Sequence, residues 1–368
     1  MEITPRLSEF LNQKGIMKKR FAILLALVAS VTLTACDPPI PASLLVAEAE
    51  KTVYCEDGAQ ALYAEAGYAD LTFAWTEIIA GQCDNMTIDS AEDISSADLV
   101  MRSEGAPSCE ARVTAPVGFE SVAIAFYLEA AFALNIDLQT LVDIFDGKIT
   151  NWADPAFTAL NPEVEFEEIP IQVAPEAPAA AIAALKLWAN EKLGIEPELS
   201  LLEPTDDADW SSLLFEFENG GIGLFPYSLV SLEGGSYAAV GTLDANGEEV
   251  IVSPSPQSIY VASTRWHPVL DGEFLLAEFD QSIEAEPFPG TADAGEPYQL
   301  VYPVYLDLCG EQNMLQSAVS RYIVRLDAQG LMATSTLGAL PEKIRIESAA
   351  HLGRDLPPVE VDPESIGG

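Results

Sequence analysis

Short apolar runs of strand length alternate with helical patterns along most of the chain. Strand-like runs fall at residues 52–54, 98–101 and 122–127, with a helical stretch near 59–66. Leu138, Leu141, Val142 and Phe145 recur at helical spacing, and Gly147 follows where a C-terminal glycine would end the helix. Residues 177–193 read as a second amphipathic helix, with Pro178 in its first turn and Gly194 just past its end. A third covers 313–324. Alternation of this kind predicts an α/β architecture. Residues 351–368 read as an acidic tail, disordered over 356–368, which are rich in Pro, Asp and Glu.

Composition narrows the function. The 368 residues are 49% hydrophobic and 20% charged, which fits a folded chain long enough for two domains. Against 58 Asp and Glu stand 17 Lys and Arg, for a net charge of -41, so docking on nucleic-acid phosphates is not expected. Two histidines, His267 and His351, and five cysteines without a CxxC pair argue against a zinc or other His-based metal centre. No GxSxG, HExxH, phosphate-binding loop or Cys/His signature occurs, so neither an enzyme nor a bound cofactor is expected.

Residues 17–36, MKKRFAILLALVASVTLTAC, place Lys18, Lys19 and Arg20 before an apolar run and small residues before a cysteine. This is an export signal, too short in its apolar part for the roughly 20 residues of a spanning helix. Leu33-Thr34-Ala35-Cys36 resembles the lipobox of bacterial lipoproteins, which implies cleavage before Cys36 and lipid on that residue. Residues 1–16 read as a leader outside the fold, and 36–44, with Pro38, Pro39 and Pro41, as a stiff tether. Removing 1–35 takes away five basic and two acidic residues, so the remainder is more negative still. Cys55, Cys83, Cys109 and Cys309 remain, an even number that suggests two disulfides in an oxidising compartment. Of three pairings, Cys55 with Cys83 and Cys109 with Cys309 is preferred: the first closes a local loop and the second could join distant parts of one domain.

Ile144-Phe145-Asp146-Gly147-Lys148-Ile149-Thr150-Asn151-Trp152-Ala153-Asp154-Pro155, with Leu160-Asn161-Pro162 after it, resembles a signature of the phosphate-binding proteins that feed bacterial ABC phosphate importers. Pro116-Val117 leading into 122–127, Gly220-Gly221-Ile222-Gly223-Leu224-Phe225-Pro226, 253–259, Asp327-Ala328-Gln329-Gly330 and Leu340-Pro341 extend the resemblance from about residue 50 to 345. It implies a two-lobed α/β fold, the type II periplasmic-binding-protein fold, with hinge-crossing strands. Lobe one would comprise 45–115 plus 257–350 and lobe two 116–256, with the hinge near Pro116 and Ser255. Cys109 and Cys309 would then share lobe one.

The resemblance also nominates binding residues. Ser103-Glu104, after Arg102, stand where the family has a Ser-Asp pair, and Gly58-Ala59-Gln60 where it has a Gly-Ala-Thr/Ser-Phe turn. In lobe two the family reads Arg, then Asp, then Ser-Gly-Thr at a helix start. Here Val173-Ala174-Pro175-Glu176-Ala177-Pro178 precede Ala179, Ala180 and Ala181, so the cation and two hydroxyls are missing while the helix N-terminus remains. The implied function is capture of phosphate or another small ligand for an ABC permease by a monomer. That monomer would be tethered by lipid to the outer face of the bacterial cytoplasmic membrane. The alternative is a degenerate member that no longer binds phosphate and serves as a surface sensor or protein-interaction module.

Overall fold

A computed structural model describes residues 53–357, apart from 206–207, 245–246 and 292–294. The leader, the signal segment, Cys36, the tether and residues 358–368 lie outside the described residues. Among those described, no helix is long and apolar enough to cross a membrane.

The first strand is β1 (Gly58–Ala64), in which Gln60 and Leu62 turn inward with a period of two. A helical turn at Ala66–Tyr68 leads into α1 (Ala69–Ala80), whose Leu71, Trp75 and Ile79 recur at helical spacing and pack in the core. The helix expected at 59–66 is therefore largely a strand, and no strand forms at 53–54. Alanine favours a helix locally, but β1 is paired on both sides, with β2 (Met86–Ser90) and β3 (Leu99–Ser103), and that pairing overrides the local preference.

β4 (Ala111–Tyr127) is the 17-residue spine of the fold. The sheet then gains β5 (Asn135–Asp137), β6 (Gln172–Val173), β9 (Gly221–Pro226), β10 (Tyr237–Leu243), β11 (Glu249–Val252), β12 (Trp266–Asp271), β13 (Phe274–Phe279) and β14 (Val301–Cys309). β7 (Glu176–Ala177) and β8 (Glu203–Pro204) form a separate pair. The main path through the sheet runs β11-β10-β4-β14-β3-β1-β2, and β4 pairs antiparallel with β14, β9 and β10. Pro116 lacks an N–H for this ladder, and the β14 register slips there, Val304 facing Gly118 and Tyr305 facing Pro116.

The helices after α1 are α2 (Leu138–Phe145), α3 (Pro155–Thr158), α4 (Ala179–Leu193), α5 (Trp210–Phe215), α6 (Tyr227–Leu232), α7 (Pro256–Ser263), α8 (Met314–Ile323), α9 (Leu326–Gln329) and α10 (Glu342–Leu352). α2 is capped by Asp137, and α4 ends at left-handed Gly194 (φ 66°).

Buried side chains gather into two cores. One draws on β1 to β4, α1, α7, β12 to β14, the C-terminal helices and Phe225, Tyr227 and Val230; the other draws on the rest of the buried residues in 122–252 together with Tyr298, Leu300 and Tyr302. The division is less clean than a cut at 116 and 256, because strands present alternate residues to opposite faces. Val122, Ile124 and Phe126 of β4 belong to the second core, and Ala123 and Ala125 to the first. Tyr298 is further fixed by its hydroxyl, which donates to the Val122 carbonyl at 2.7 Å.

Both disulfides form in the preferred pairing, Cys55 with Cys83 and Cys109 with Cys309. The acidic tail starts later than residue 351. α10 continues to Leu352, Leu356 is buried in the first core, and the Asp355 carboxylate accepts from Arg112 and Gln312, each at 2.8 Å.

Candidate functional site

β1 and β3 lie side by side and parallel, Leu62, Tyr63 and Ala64 pairing with Leu99, Val100 and Met101. Their carboxyl ends therefore open on one edge, where α/β sheets commonly leave a ligand crevice. Glu65 follows β1 there, and Ser103 closes β3. The Ser103 N–H donates to Glu65 Oε1 at 2.8 Å, and its hydroxyl lies 3.0 Å from each Glu65 carboxylate oxygen.

A cavity of about 270 Å³ opens at this edge. Glu65, Tyr68 and Ser103 line it from the ends of β1 and β3, and Asp209, Trp210 and Ser228 line it from the start of α5 and from α6. The two sides touch at Gly67, where a Cβ would sit 2.3 Å from Ser228 Oγ, so only glycine allows the turn this close to α6.

Glu120, from the crossing strand β4, is fully buried behind Ser228. It accepts the Ser121 N–H at 2.8 Å, the Ser228 N–H at 3.3 Å and the Ser228 hydroxyl. Burial pushes its carboxyl up to about 8 despite those hydrogen bonds, so it is mostly protonated at neutral pH. Tyr68, 1% exposed, is held well above the usual phenol range, first by burial and then by the nearby Glu120 and Glu65. Asp209 caps α5 by accepting the Ser212 N–H at 3.1 Å and its hydroxyl at 2.7 Å, and these bonds hold its carboxyl below the ordinary range. No lysine, arginine or histidine is among the described lining residues. The cavity is thus rich in carboxyls and hydroxyls, with backbone N–H groups as donors.

No family model matches the chain. Among curated proteins it is similar to phosphate-binding protein PstS 3 of Mycobacterium leprae, with 24% identity over 211 residues, 53% of each chain. It is also similar to phosphate-binding protein PstS 2 of Mycobacterium tuberculosis, with 22% identity over 213 residues and the same shares. The chain spans about half the length of these curated relatives. Two solved structures share its fold. One is a DING protein, at 14% identity over 80% of this chain and 94% of that one, with a TM-score of 0.52. The other is a high-affinity periplasmic phosphate-binding protein with phosphate bound, at 13% identity over 80% and 93%, also with a TM-score of 0.52. The curated relatives and one of these solved structures are named for phosphate binding. The fold of the chain is the two-lobed type II periplasmic-binding-protein fold.

Only some residues nominated from the sequence meet in the cleft. Ser103 lines it. Arg102 does not, because adjacent strand residues face opposite ways: its Nε donates to Asp307 at 2.5 Å and its guanidinium lies 5.6 Å from the Tyr305 ring centre. Asp307, fully buried, also accepts the Thr114 hydroxyl at 2.6 Å and that of Ser108. Glu104 is exposed and borders a smaller recess of about 50 Å³ with Ala180, Trp188 and Trp266. Ala179 opens α4 beside the cleft-lining Pro178, whereas Ala181 is fully buried in the second core with Leu185 and Trp188. Gly58 and Ala59 sit at the opposite end of β1, paired with Met86 and Thr87, so they take no part in the cleft.

Glu65, Glu120, Asp209 and Ser228 went unnoticed in the sequence. Glu120 carries the clearest signal, a lone carboxyl inside the otherwise apolar strand pattern of 115–126. Asp209 stands directly before Trp210-Ser211-Ser212, a helix-capping pattern.

Proposed function

We propose that this chain is the solute-capturing component of an ABC importer, exported and held by lipid on Cys36 to the outer face of the cytoplasmic membrane. Phosphate or another small ligand is taken into the cleft between the lobes and presented to a permease. Lobe one corresponds to 45–115 with 257–350 and lobe two to 116–256, exchanging residues at the crossing strands. The observation that carries this reading is the cavity at the carboxyl ends of β1 and β3, lined also by residues of α5 and α6, with Glu120 of the crossing strand β4 behind Ser228. A ligand bridging those two sides would shift the balance between open and closed lobes, which a permease can read.

For phosphate, the neutral-pH ligand carries both acceptor oxygens and a proton. Backbone N–H groups and hydroxyls at the cleft serve the first, and the carboxylate of Asp209 serves the second. Relatives named for phosphate binding support phosphate as the first ligand to test. Isothermal titration of residues 37–368 with phosphate, near neutral pH and at moderate salt, tests this directly. Micromolar or tighter binding is the expected result. Folded protein giving no heat at millimolar phosphate would overturn phosphate as the ligand.

A further inference from the structure

We propose that Glu65 sets the ligand selectivity of the cleft as a built-in competing anion: its carboxylate occupies donors that an oxyanion needs, so an oxyanion binds only by displacing it. The inference rests on the reading of the cavity as the ligand cleft and adds the group that tunes it.

Ser103 offers an N–H and a hydroxyl together at the end of β3, the kind of paired donor that grips two oxygens of an anion. Both are taken up by the Glu65 carboxylate, at 2.8 Å from the N–H and 3.0 Å from the hydroxyl. The remaining lining serines are committed in the same manner. Ser228 gives its N–H and hydroxyl to Glu120, and Ser211 gives its hydroxyl to Glu233 at 2.8 Å. The cleft therefore spends these donors on the protein's own carboxyls, with no cation among its described lining residues to compensate.

The two principal carboxyls differ in what can move them. Glu120 is fully buried in the middle of β4, clamped by three donors. Glu65 is only partly buried, sits in the link between β1 and the Ala66–Tyr68 turn, and lines the cavity. Rotating its side chain away releases the Ser103 pair. Displacement costs the hydrogen bonds of Glu65 and leaves a carboxylate near the entering anion, both of which weaken oxyanion binding.

The test compares phosphate titrations of full-length wild type, Glu65→Ser and Glu65→Gln in the same mild detergent. Glu77→Gln, on the exposed face of α1 toward its C-terminal end, controls for loss of one negative charge. Glu65→Ser is expected to bind phosphate at least tenfold more tightly than wild type, and Glu65→Gln to be tighter than wild type as well. Glu77→Gln should match wild type, and thermal melts establish that each protein is folded. Wild-type binding that Glu65→Ser leaves equal or weaker would overturn the role of Glu65 while leaving the capture of phosphate standing. Failure of folded wild type and both Glu65 variants to bind millimolar phosphate would overturn both.

Discussion

Replacing Glu120 by Gln keeps the shape of the side chain and removes its ability to ionise. Oε1 can still accept the Ser121 and Ser228 N–H groups, and the new amide can donate to the Ser228 hydroxyl, so the packing behind the cleft is preserved. In the folded protein burial raises this carboxyl from 4.5 to about 8. Between those values the folded state holds a proton that the unfolded state has released, so stability falls as pH rises. The contribution is fully present below the unfolded value and lost as pH climbs through the folded one. At about 1.4 kcal/mol per pH unit, moving from roughly pH 5.5 to 7.5 costs wild type about 3 kcal/mol through Glu120 alone. The many other acidic groups also repel one another as pH rises, and the Gln variant shares that background. Urea unfolding followed by tryptophan fluorescence at both pH values, for wild type and Glu120→Gln, isolates the difference. The variant should lose about 3 kcal/mol less than wild type across this interval. Equal losses in the two proteins would refute a protonated, desolvated Glu120.

Other consequences can be measured independently. Asp307→Ala strips Arg102, Thr114 and Ser108 of their shared acceptor and should cost about 3–5 kcal/mol in chemical denaturation, as expected when a buried pair loses one member. Opening the Cys109–Cys309 bond, which spans 200 residues, should destabilise by about 5 kcal/mol, against about 4 kcal/mol for Cys55–Cys83, which spans 28, on a chain-entropy basis. Melting of the two paired-serine variants would reveal the order. Tyr298→Phe removes the hydroxyl that holds Val122 and should cost about 1 kcal/mol, read in the same denaturation assay.

The sequence was most legible where local and long-range preferences agreed. α2, α4 and α8 fall within a residue or two of their sequence-based ranges, because apolar spacing, Asp137 or Asn313 caps and Gly194 all favour the same ends. It misled at residues 59–66, where an alanine-rich stretch is recruited as a parallel strand by neighbours that begin at Met86 and Leu99. The ligand turn expected from motif order at Gly58 and Ala59 lies at the start of that strand, and Glu65 follows its other end. Arg102 was misplaced for a different reason. A motif gives residue order, but the side of the sheet on which a charge lies depends on strand alternation, and its partner Asp307 is distant in sequence.

The mixed membership of residues 298–302 bears on how the protein is made. Tyr298, Leu300 and Tyr302 complete the second core while Val301 and Val304 complete the first, so both cores lack side chains until this stretch has left the ribosome. The second core, although nearly continuous in sequence, is not finished when residue 252 emerges. A nascent chain stopped before residue 298 would present two open apolar surfaces at once, and one short segment then closes both.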